Sequence, residues 1–143
     1  SQSVAGGATS AANVLNLYFQ ATSTSNRLLV TMNINVCCDS NNIGVGMALY
    51  ADDSIISDAV GAAASNRNRV TSATIVDYTS HIKPISAQVW LTPASTNNIN
   101  YHIKLVNLHD STHTLTANYS SADTDSSMYA RSVSSMTIME ISQ

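Results

Sequence analysis

Two aspartates in the segment SADTDSS, Asp123 and Asp125, have the spacing that best suits a metal site in this chain. On an extended segment, side chains two residues apart point the same way. Both carboxylates would then reach one hard cation such as calcium, with Ser121 or Thr124 adding oxygen ligands. The alternative is a loop in which the aspartates form Asx-turns. We favour the loop, and we expect neither a metal nor another cofactor.

Three histidines offer a second set of metal ligands. His109 and His113 in HDSTH lie four residues apart, a spacing that brings side chains together on a helix but not across a β-turn. His102 lies close to them in sequence, in the preceding predicted strand. A surface metal site formed by these three residues is the alternative to ordinary solvated histidines.

The two cysteines, Cys37 and Cys38, are adjacent. Neighbouring side chains on a strand point to opposite faces, and a disulfide between them would be strained. Structural zinc needs four ligands, which this pair alone does not supply. The sequence therefore predicts free thiols, one of them buried as a small apolar side chain.

Catalytic signatures are missing from the sequence. Asp52 and Asp53 are adjacent at a predicted strand end, so they would point apart instead of converging on a glycosidic bond. Turn formation is the better interpretation of this pair. The sequence contains no nucleophile elbow, glycine-rich phosphate loop or zinc-hydrolase signature. We expect the protein not to be an enzyme.

Charge and hydropathy narrow the range of partners. The net charge is −3 with six basic residues, and only Arg67 and Arg69 form a close basic pair. Such a chain has no footprint for nucleic-acid phosphates. No apolar run approaches the roughly 18 residues that a membrane span needs. Nucleic acid and membrane insertion are therefore not expected.

Alternating apolar residues predict an all-β protein with about ten short strands in two antiparallel sheets, a sandwich or jelly roll. Charged residues are only 10% of the chain, and Ser, Thr and Asn supply its polarity. CDSNN has the composition of a tight hairpin turn, and residues 53–66 favour a short strand and a loop. Residues 1–143 form one predicted domain. The alternative for residues 1–12 is an extended lead-in from a longer fibre. The predicted strands are Asn13–Gln20, Asn26–Cys38, Asn42–Ala51, Arg69–Tyr78, Ile85–Thr92, Asn98–Leu108, His113–Tyr119 and Met136–Ile141.

The C-terminal strand is apolar on both faces. Met136, Ile138 and Glu140 share one face, and Thr137, Met139 and Ile141 share the other. A sheet in a sandwich meets the core with one face only, so something else must cover the second face. Self-association is the favoured explanation, and the small residues of NIGVGMALY and the apolar faces of SAQVWLT agree with it. Which set faces a partner stays open.

The segment SSADTDSSMYARSVSSMTIMEIS resembles the C-terminal signature of phage tail-fibre and virion structural proteins. Those proteins end in a small trimeric head with the tumour necrosis factor-like, or complement globular-head, jelly roll. TSTSNRLLVTMNINV resembles an early strand of this head, IGVGMALYADDSII the next hairpin, and SNRNRVTSA a loop and strand. YHIKLVN followed by HDSTHTLTAN resembles its late hairpin. The resemblance runs from about Asn16 to Ile141 and implies a ten-stranded jelly-roll homotrimer, with the C-terminal strand near the three-fold axis.

The resemblance also implies a function on the virion, at the tip of a longer fibre or on the particle surface. The head would attach to a host cell-surface glycan or outer-membrane component through exposed loops, where Asn, Ser, Thr and Tyr side chains suit sugar hydroxyls. The receptor-binding residues are not predicted. The alternatives are a structural trimerisation cap or capsid decoration without a receptor, and a depolymerising tailspike with converging carboxylates. The residues expected at the trimer interface are Trp90, Tyr129, Met136, Ile138 and Glu140.

Aromatic side chains are further candidates for contacts with glycans. Trp90 is expected to be a core or interface anchor and not a platform for sugar stacking. Tyrosines that reach strand ends are better placed to contact a glycan. These are Tyr50, Tyr78, Tyr101, Tyr119 and Tyr129.

Overall fold

The chain folds into ten β-strands and a single 3₁₀ turn at Ser57–Ala59, as seen in a computed structural model that describes residues 2–10, 12–127 and 129–143. Ser1 and Ala11 of the expected lead-in, and Met128 of the C-terminal segment, lie outside the described residues. The predicted all-β class is confirmed. The strands are β1 (Gln2–Val4), β2 (Leu15–Gln20), β3 (Arg27–Cys38), β4 (Ile43–Ala51), β5 (Ser54–Ile55), β6 (Ser72–Val76), β7 (Lys83–Leu91), β8 (Asn98–Asn107), β9 (His113–Ala117) and β10 (Ser135–Ile141).

The strands form two antiparallel five-stranded sheets, as predicted, which make a β-sandwich. In sheet A, the long strand β3 pairs along one edge with β7 and along the other with β9 and β10 in succession, and β1 pairs with β9. Sheet B runs in the order β2, β8, β4, and both β5 and β6 pair with the free edge of β4.

The core lies between the two sheets and follows the alternation seen in the sequence. Every second residue of β3 and β4 is buried, and each large apolar side chain removed from water in this way contributes about 1.5–3 kcal/mol. In β3 the intervening residues from Arg27 to Asn35 lie on the outer face of sheet A, which is in part open to solvent. Those core residues are Leu28, Val30, Met32, Ile34, Val36 and Cys38 of β3, and Ile43, Val45, Met47 and Leu49 of β4.

The turns agree only partly with expectation. Asp52 and Asp53 form the tight turn of the β4–β5 hairpin, as predicted. CDSNN, however, does not close a hairpin, because β3 belongs to sheet A and β4 to sheet B. The late hairpin implied by the resemblance is likewise absent, since β8 and β9 lie in different sheets. Turn composition indicates a reversal of the chain, but the pairing depends on which strand edges are free.

The small-residue face of β4 is covered by the chain itself and not by a partner. A Cβ on Gly46 would lie 2.6 Å from Cγ1 of Val70, and a Cβ on Gly44 would lie 3.0 Å from Cβ of Leu108. The glycines allow these segments to approach the outer face of sheet B closely. This face therefore does not support the expectation of self-association.

The N-terminal residues belong to the sandwich. β1 pairs with β9, and the Gly7 and Ser10 amides donate hydrogen bonds to the Asn107 and Leu105 carbonyls of β8. The described part of the expected lead-in thus pairs with both sheets. Among residues 2–10, 12–127 and 129–143, no helix is long and apolar enough to span a membrane.

Candidate functional site

The C-terminal strand presents one apolar face to the core and the other to solvent. Met136 and Ile138 are half-buried and pack against the core cluster. Met139, on the opposite face, is 54% exposed, and Ile141 is 37% exposed. Packing within one chain therefore explains the apolar face of Met136 and Ile138. The apolar face of Met139 and Ile141 needs another explanation.

Glu140 shares the inward face and anchors the loop between β2 and β3. Its carboxylate accepts hydrogen bonds from Nδ2 of Asn26 at 2.8 Å, from the Thr22 amide at 2.9 Å and from Oγ1 of Thr22 at 2.9 Å. The Ser23 amide adds a longer bond at 3.3 Å. These donors, Asn26 first, hold the pKa of Glu140 below its usual value, because they favour the charged form.

An apolar row crosses the outer face of sheet A at one end. Leu29 of β3 is paired with Trp90 of β7 on one side and with Met139 of β10 on the other, so the three side chains are cross-strand neighbours. Trp90 is 48% exposed. Ile141, paired with Arg27, extends this surface. We call Leu29, Trp90, Met139 and Ile141 the outer apolar row.

A hollow lies beside the outer apolar row. It has a volume of about 350 Å³ and is lined by Arg27, Trp90, Ile141 and Gln143. The Arg27 guanidinium carbon lies 5.6 Å from the centroid of the Trp90 ring, within the range of a cation–π contact. Nε of Arg27 is buried, and the described residues offer it no hydrogen-bond partner. An apolar hollow with a positive rim is thus built into this end of the sheet.

The remainder of this face is polar. Gln88 donates to Oγ1 of Thr31 at 3.1 Å, and Ser86 donates to Oδ1 of Asn33 at 2.9 Å. These cross-strand hydrogen bonds satisfy the polar side chains between themselves. Among the described strands of sheet A, the large exposed apolar side chains thus lie at the end that carries the outer apolar row.

The residues expected at a trimer interface are distributed over several surfaces. Trp90 faces outward in the outer apolar row, whereas Met136, Ile138 and Glu140 face inward. Tyr129 lies in the β9–β10 connection, which is tied to Asn35 by a hydrogen bond from the Asn118 amide at 2.8 Å. Asn35 is six residues along β3 from Leu29, or roughly 20 Å at the rise of a strand. Arg131, two residues beyond Tyr129, forms an isolated bridge with Tyr119 beside Asn118, which places this part of the connection toward the opposite end of the sheet.

Asp123 and Asp125 lie in an exposed loop. Both carboxylate oxygens of Asp123 accept hydrogen bonds from Nη2 of Arg131 at 3.0 Å. A calcium ion would need the Asp123 carboxylate as a ligand, but the Arg131 guanidinium already pairs with it. The arrangement fits a loop-ordering ion pair better than the calcium site considered from the sequence.

His109 and His113 come together, but His102 lies elsewhere. The rings of His109 and His113 are 5.3 Å apart, and the Ser111 hydroxyl lies 3.2 Å from Nδ1 of His109 and 2.9 Å from Nε2 of His113. His102 is buried and stacks on Tyr50. The β8–β9 loop forms a turn that brings the side chains of His109 and His113 together, although their four-residue spacing did not predict this contact.

Asp39, which the sequence did not indicate as a neighbour, lies beside His113. Oδ1 of Asp39 lies 3.1 Å from Nδ1 of His113 and 3.5 Å from Sγ of Cys38. Burial raises the pKa of the Cys38 thiol to about 11. Burial also raises the pKa of Asp39, but hydrogen bonds from Thr114, His113 and Cys38 outweigh it, so the net shift is downward. Cys38, Asp39 and His113 thus form a compact trio.

Both cysteines are buried and free, whereas one buried thiol was expected. Cys37 faces away from the trio and donates to the Thr79 carbonyl, with sulfur and oxygen 3.1 Å apart. The segment around Thr79 covers this side of β3, which explains why Cys37 is buried as well as Cys38.

The tyrosines differ in their availability to a ligand. Tyr101 is buried, and Tyr50 is half-buried between His102 and Lys104. Tyr78 is 56% exposed, and Tyr18, a tyrosine in the middle of β2, is 62% exposed. Alternation along β2 could have identified Tyr18, because its neighbours Leu17 and Phe19 point to the other face.

Comparison with protein-family models and with curated proteins finds no match to this chain.

Proposed function

We propose that the protein is the non-enzymatic, trimeric jelly-roll head of a phage tail fibre or virion structural protein and attaches the particle to a host surface receptor. The observation that carries the proposal is the outer apolar row. It leaves Trp90 and Met139 about half exposed on an otherwise polar, hydrogen-bonded sheet face. Large apolar side chains in one contiguous patch typically mark an interaction surface.

The strand order supports the jelly-roll part of the proposal. The antiparallel pairs β1–β9, β2–β8, β3–β7 and β4–β6 are nested, each pair enclosing the next along the chain. A long hairpin that wraps around a core generates such nesting and distributes alternate pairs to the two sheets. This is the strand arrangement expected of two Greek keys joined in a jelly roll.

The composition of the outer apolar row supports contact with further copies of the chain. Trp, Met and Arg are enriched at protein interfaces, and the centre of an interface is apolar while its rim is polar. The row has this character, with Arg27 and the Thr31–Gln88 pair at its margins. The resemblance supplies the number of copies, three around one axis, with sheet A innermost. The interface then centres on Trp90, Met139 and Ile141 instead of Met136, Ile138 and Glu140.

The polar surface suits a glycan receptor. Ser, Thr and Asn dominate the turns, and their side chains both donate to and accept from sugar hydroxyls. Tyr18 and Tyr78 add exposed rings for stacking. Weak binding by one head suffices, because three copies per fibre and several fibres per particle supply avidity.

The assembly is tested by multi-angle light scattering on the purified chain. The expected mass is three times the 15.2 kDa of one chain at micromolar concentration. A mass of 15.2 kDa at all concentrations contradicts the trimer and with it this form of the proposal.

Attachment is tested with the same trimer on an array of bacterial surface glycans and on outer-membrane vesicles. Binding that is lost in a monomeric variant supports avidity-driven attachment. A stable trimer that binds no glycan and no vesicle contradicts attachment and supports the structural cap or capsid decoration. Release of reducing ends from a bound polysaccharide contradicts the non-enzymatic assignment.

A further inference from the structure

One cluster of metal-ligating side chains lies outside the apolar row and has no part in the proposed attachment. Sγ of Cys38, a carboxylate oxygen of Asp39 and a ring nitrogen of His113 all lie within 4.8 Å of one another. They come from the end of β3, the following loop and the start of β9. We propose that these three side chains bind one Zn²⁺ ion.

The distances in the trio fit tetrahedral zinc. With zinc about 2.1 Å from nitrogen or oxygen and about 2.3 Å from sulfur, tetrahedral angles separate neighbouring ligand atoms by about 3.3–3.6 Å. Oδ1 of Asp39 lies 3.1 Å from Nδ1 of His113 and 3.5 Å from Sγ of Cys38. Two of the three separations thus need changes of only a few tenths of an ångström. The sulfur and the ring nitrogen lie within 4.8 Å of each other and would have to approach by at most about 1.2 Å.

The ligand types select a borderline metal. Thiolate and imidazole favour zinc over the hard cations calcium and magnesium, which prefer oxygen alone. The Asp39 side chain is 38% exposed, which would give a water molecule access to the fourth coordination position. Three protein ligands and a water complete a tetrahedral site.

Hydrogen bonds from the surroundings hold Asp39 and His113 in position. Oδ2 of Asp39 accepts a hydrogen bond from the Thr114 amide at 2.9 Å, which leaves Oδ1 for the metal. The Ser111 hydroxyl lies 2.9 Å from Nε2 of His113 and can accept its proton, so that Nδ1 carries the free electron pair. Ser111 is held in turn by Asn107, whose buried amide donates to the Ser111 carbonyl at 2.7 Å.

Binding requires one proton to leave. The Cys38 thiol releases its proton to solvent, and the sulfur–zinc bond replaces the S–H···Oδ1 contact with Asp39. The neutral His113 ring would bind through Nδ1 and carry its proton on Nε2, beside the Ser111 hydroxyl. No oxidant or reductant takes part.

The zinc ion would join two parts of the fold that are distant in sequence. Asp39 begins the connection from sheet A to sheet B, and His113 begins the strand that returns to sheet A, 74 residues later. A ligand that binds only the folded state raises stability by mass action. Zinc is therefore expected to raise the unfolding temperature of the chelator-treated chain.

The test is a titration of the chelator-treated protein with Co²⁺ alone, followed by displacement with Zn²⁺. We expect one Co²⁺ per chain and a thiolate-to-cobalt charge-transfer band in the near ultraviolet. Cys38→Ser should abolish the band and Cys37→Ser, a matched change at the adjacent buried thiol, should keep it. Ser111→Ala should weaken binding by about 10–100-fold.

A second pair of variants keeps the test valid if a cysteine variant fails to fold. His113→Gln should abolish the band and the thermal shift, whereas His81→Gln, at an exposed histidine elsewhere, should preserve both. A wild-type protein without the band overturns the proposal. A band that survives Cys38→Ser overturns it too, and so does equal binding by the His113 and His81 variants, which indicates adventitious cobalt only.

Discussion

At the residue scale, Glu140 links the end of β10 to the loop between β2 and β3. It is the only glutamate of the chain, and it collects donors from Thr22, Ser23 and Asn26 on the loop that leads into β3. Because the loop donates four amide or hydroxyl groups to one charged acceptor, the loop and the end of β10 are expected to order together.

Glu140→Gln should lower stability at neutral pH, and the loss should depend on pH. The folded-state pKa of Glu140 lies below its ordinary value of 4.5, so its contribution is complete above that value and is lost as the pH falls through the folded pKa. The gap in urea midpoint between wild type and variant should be widest at neutral pH and narrow under acid. Asp125→Asn, at an exposed loop carboxylate, is the control. A gap that is constant with pH would contradict the role of the charge.

At the element scale, β4 is shaped for the segment that crosses it. Gly46 lets Val70 reach the outer face of sheet B, and the Thr71 amide then donates to the Met47 carbonyl at 2.8 Å. The close packing of this segment leaves no space for a methyl group. The two contacts fix the entry into β6.

Gly46→Ala should destabilise the fold by about 1–3 kcal/mol, because the added methyl would lie 2.6 Å from Cγ1 of Val70. In a Val70→Ala background the same change should cost about 1 kcal/mol less, a coupling that denaturant unfolding of the four variants measures. Gly61→Ala is the matched control, since its Cβ would meet only the Val70 carbonyl at 4.0 Å. Equal costs of Gly46→Ala in both backgrounds would contradict steric contact with Val70.

At the scale of the whole molecule, the two faces of β10 have separate roles. Ile138 packs on the core of its own chain, whereas its neighbour Met139 extends to solvent. The face of Ile138 stabilises the sandwich, and the face of Met139 is the one available for the proposed trimer.

Adjacent substitutions on β10 should therefore have different effects. Ile138→Asp should unfold the chain, because it places a carboxylate against the core without a partner. Met139→Asp should leave the fold intact and reduce the mass in light scattering from three chains to one. Ile75→Asp, at a 60% exposed apolar residue on sheet B, should leave the mass unchanged. Circular dichroism with light scattering separates the outcomes, and a folded trimer carrying Met139→Asp would exclude the outer apolar row from the interface.

The local features of the fold were determined by the sequence itself. Alternation in β3 and β4 predicted the buried side chains, because a strand sends successive residues to opposite faces wherever it lies. Asp52 and Asp53 predicted a turn for an equally local reason. The all-β class and the two antiparallel sheets followed from the same patterns.

Only the tertiary structure decided which strands pair and which residues each strand face meets. A strand that is apolar on both sides, such as β10, does not reveal which side is inward, since that depends on the sheet edge it joins. The glycines of β4 could have met a partner but meet Val70 and Leu108 of the same chain. Cys38 and Asp39 approach His113 because β3 pairs with β9, although 74 residues separate Asp39 from His113. Such long-range pairing depends on which edges other strands have left free, and that is a property of the whole sheet.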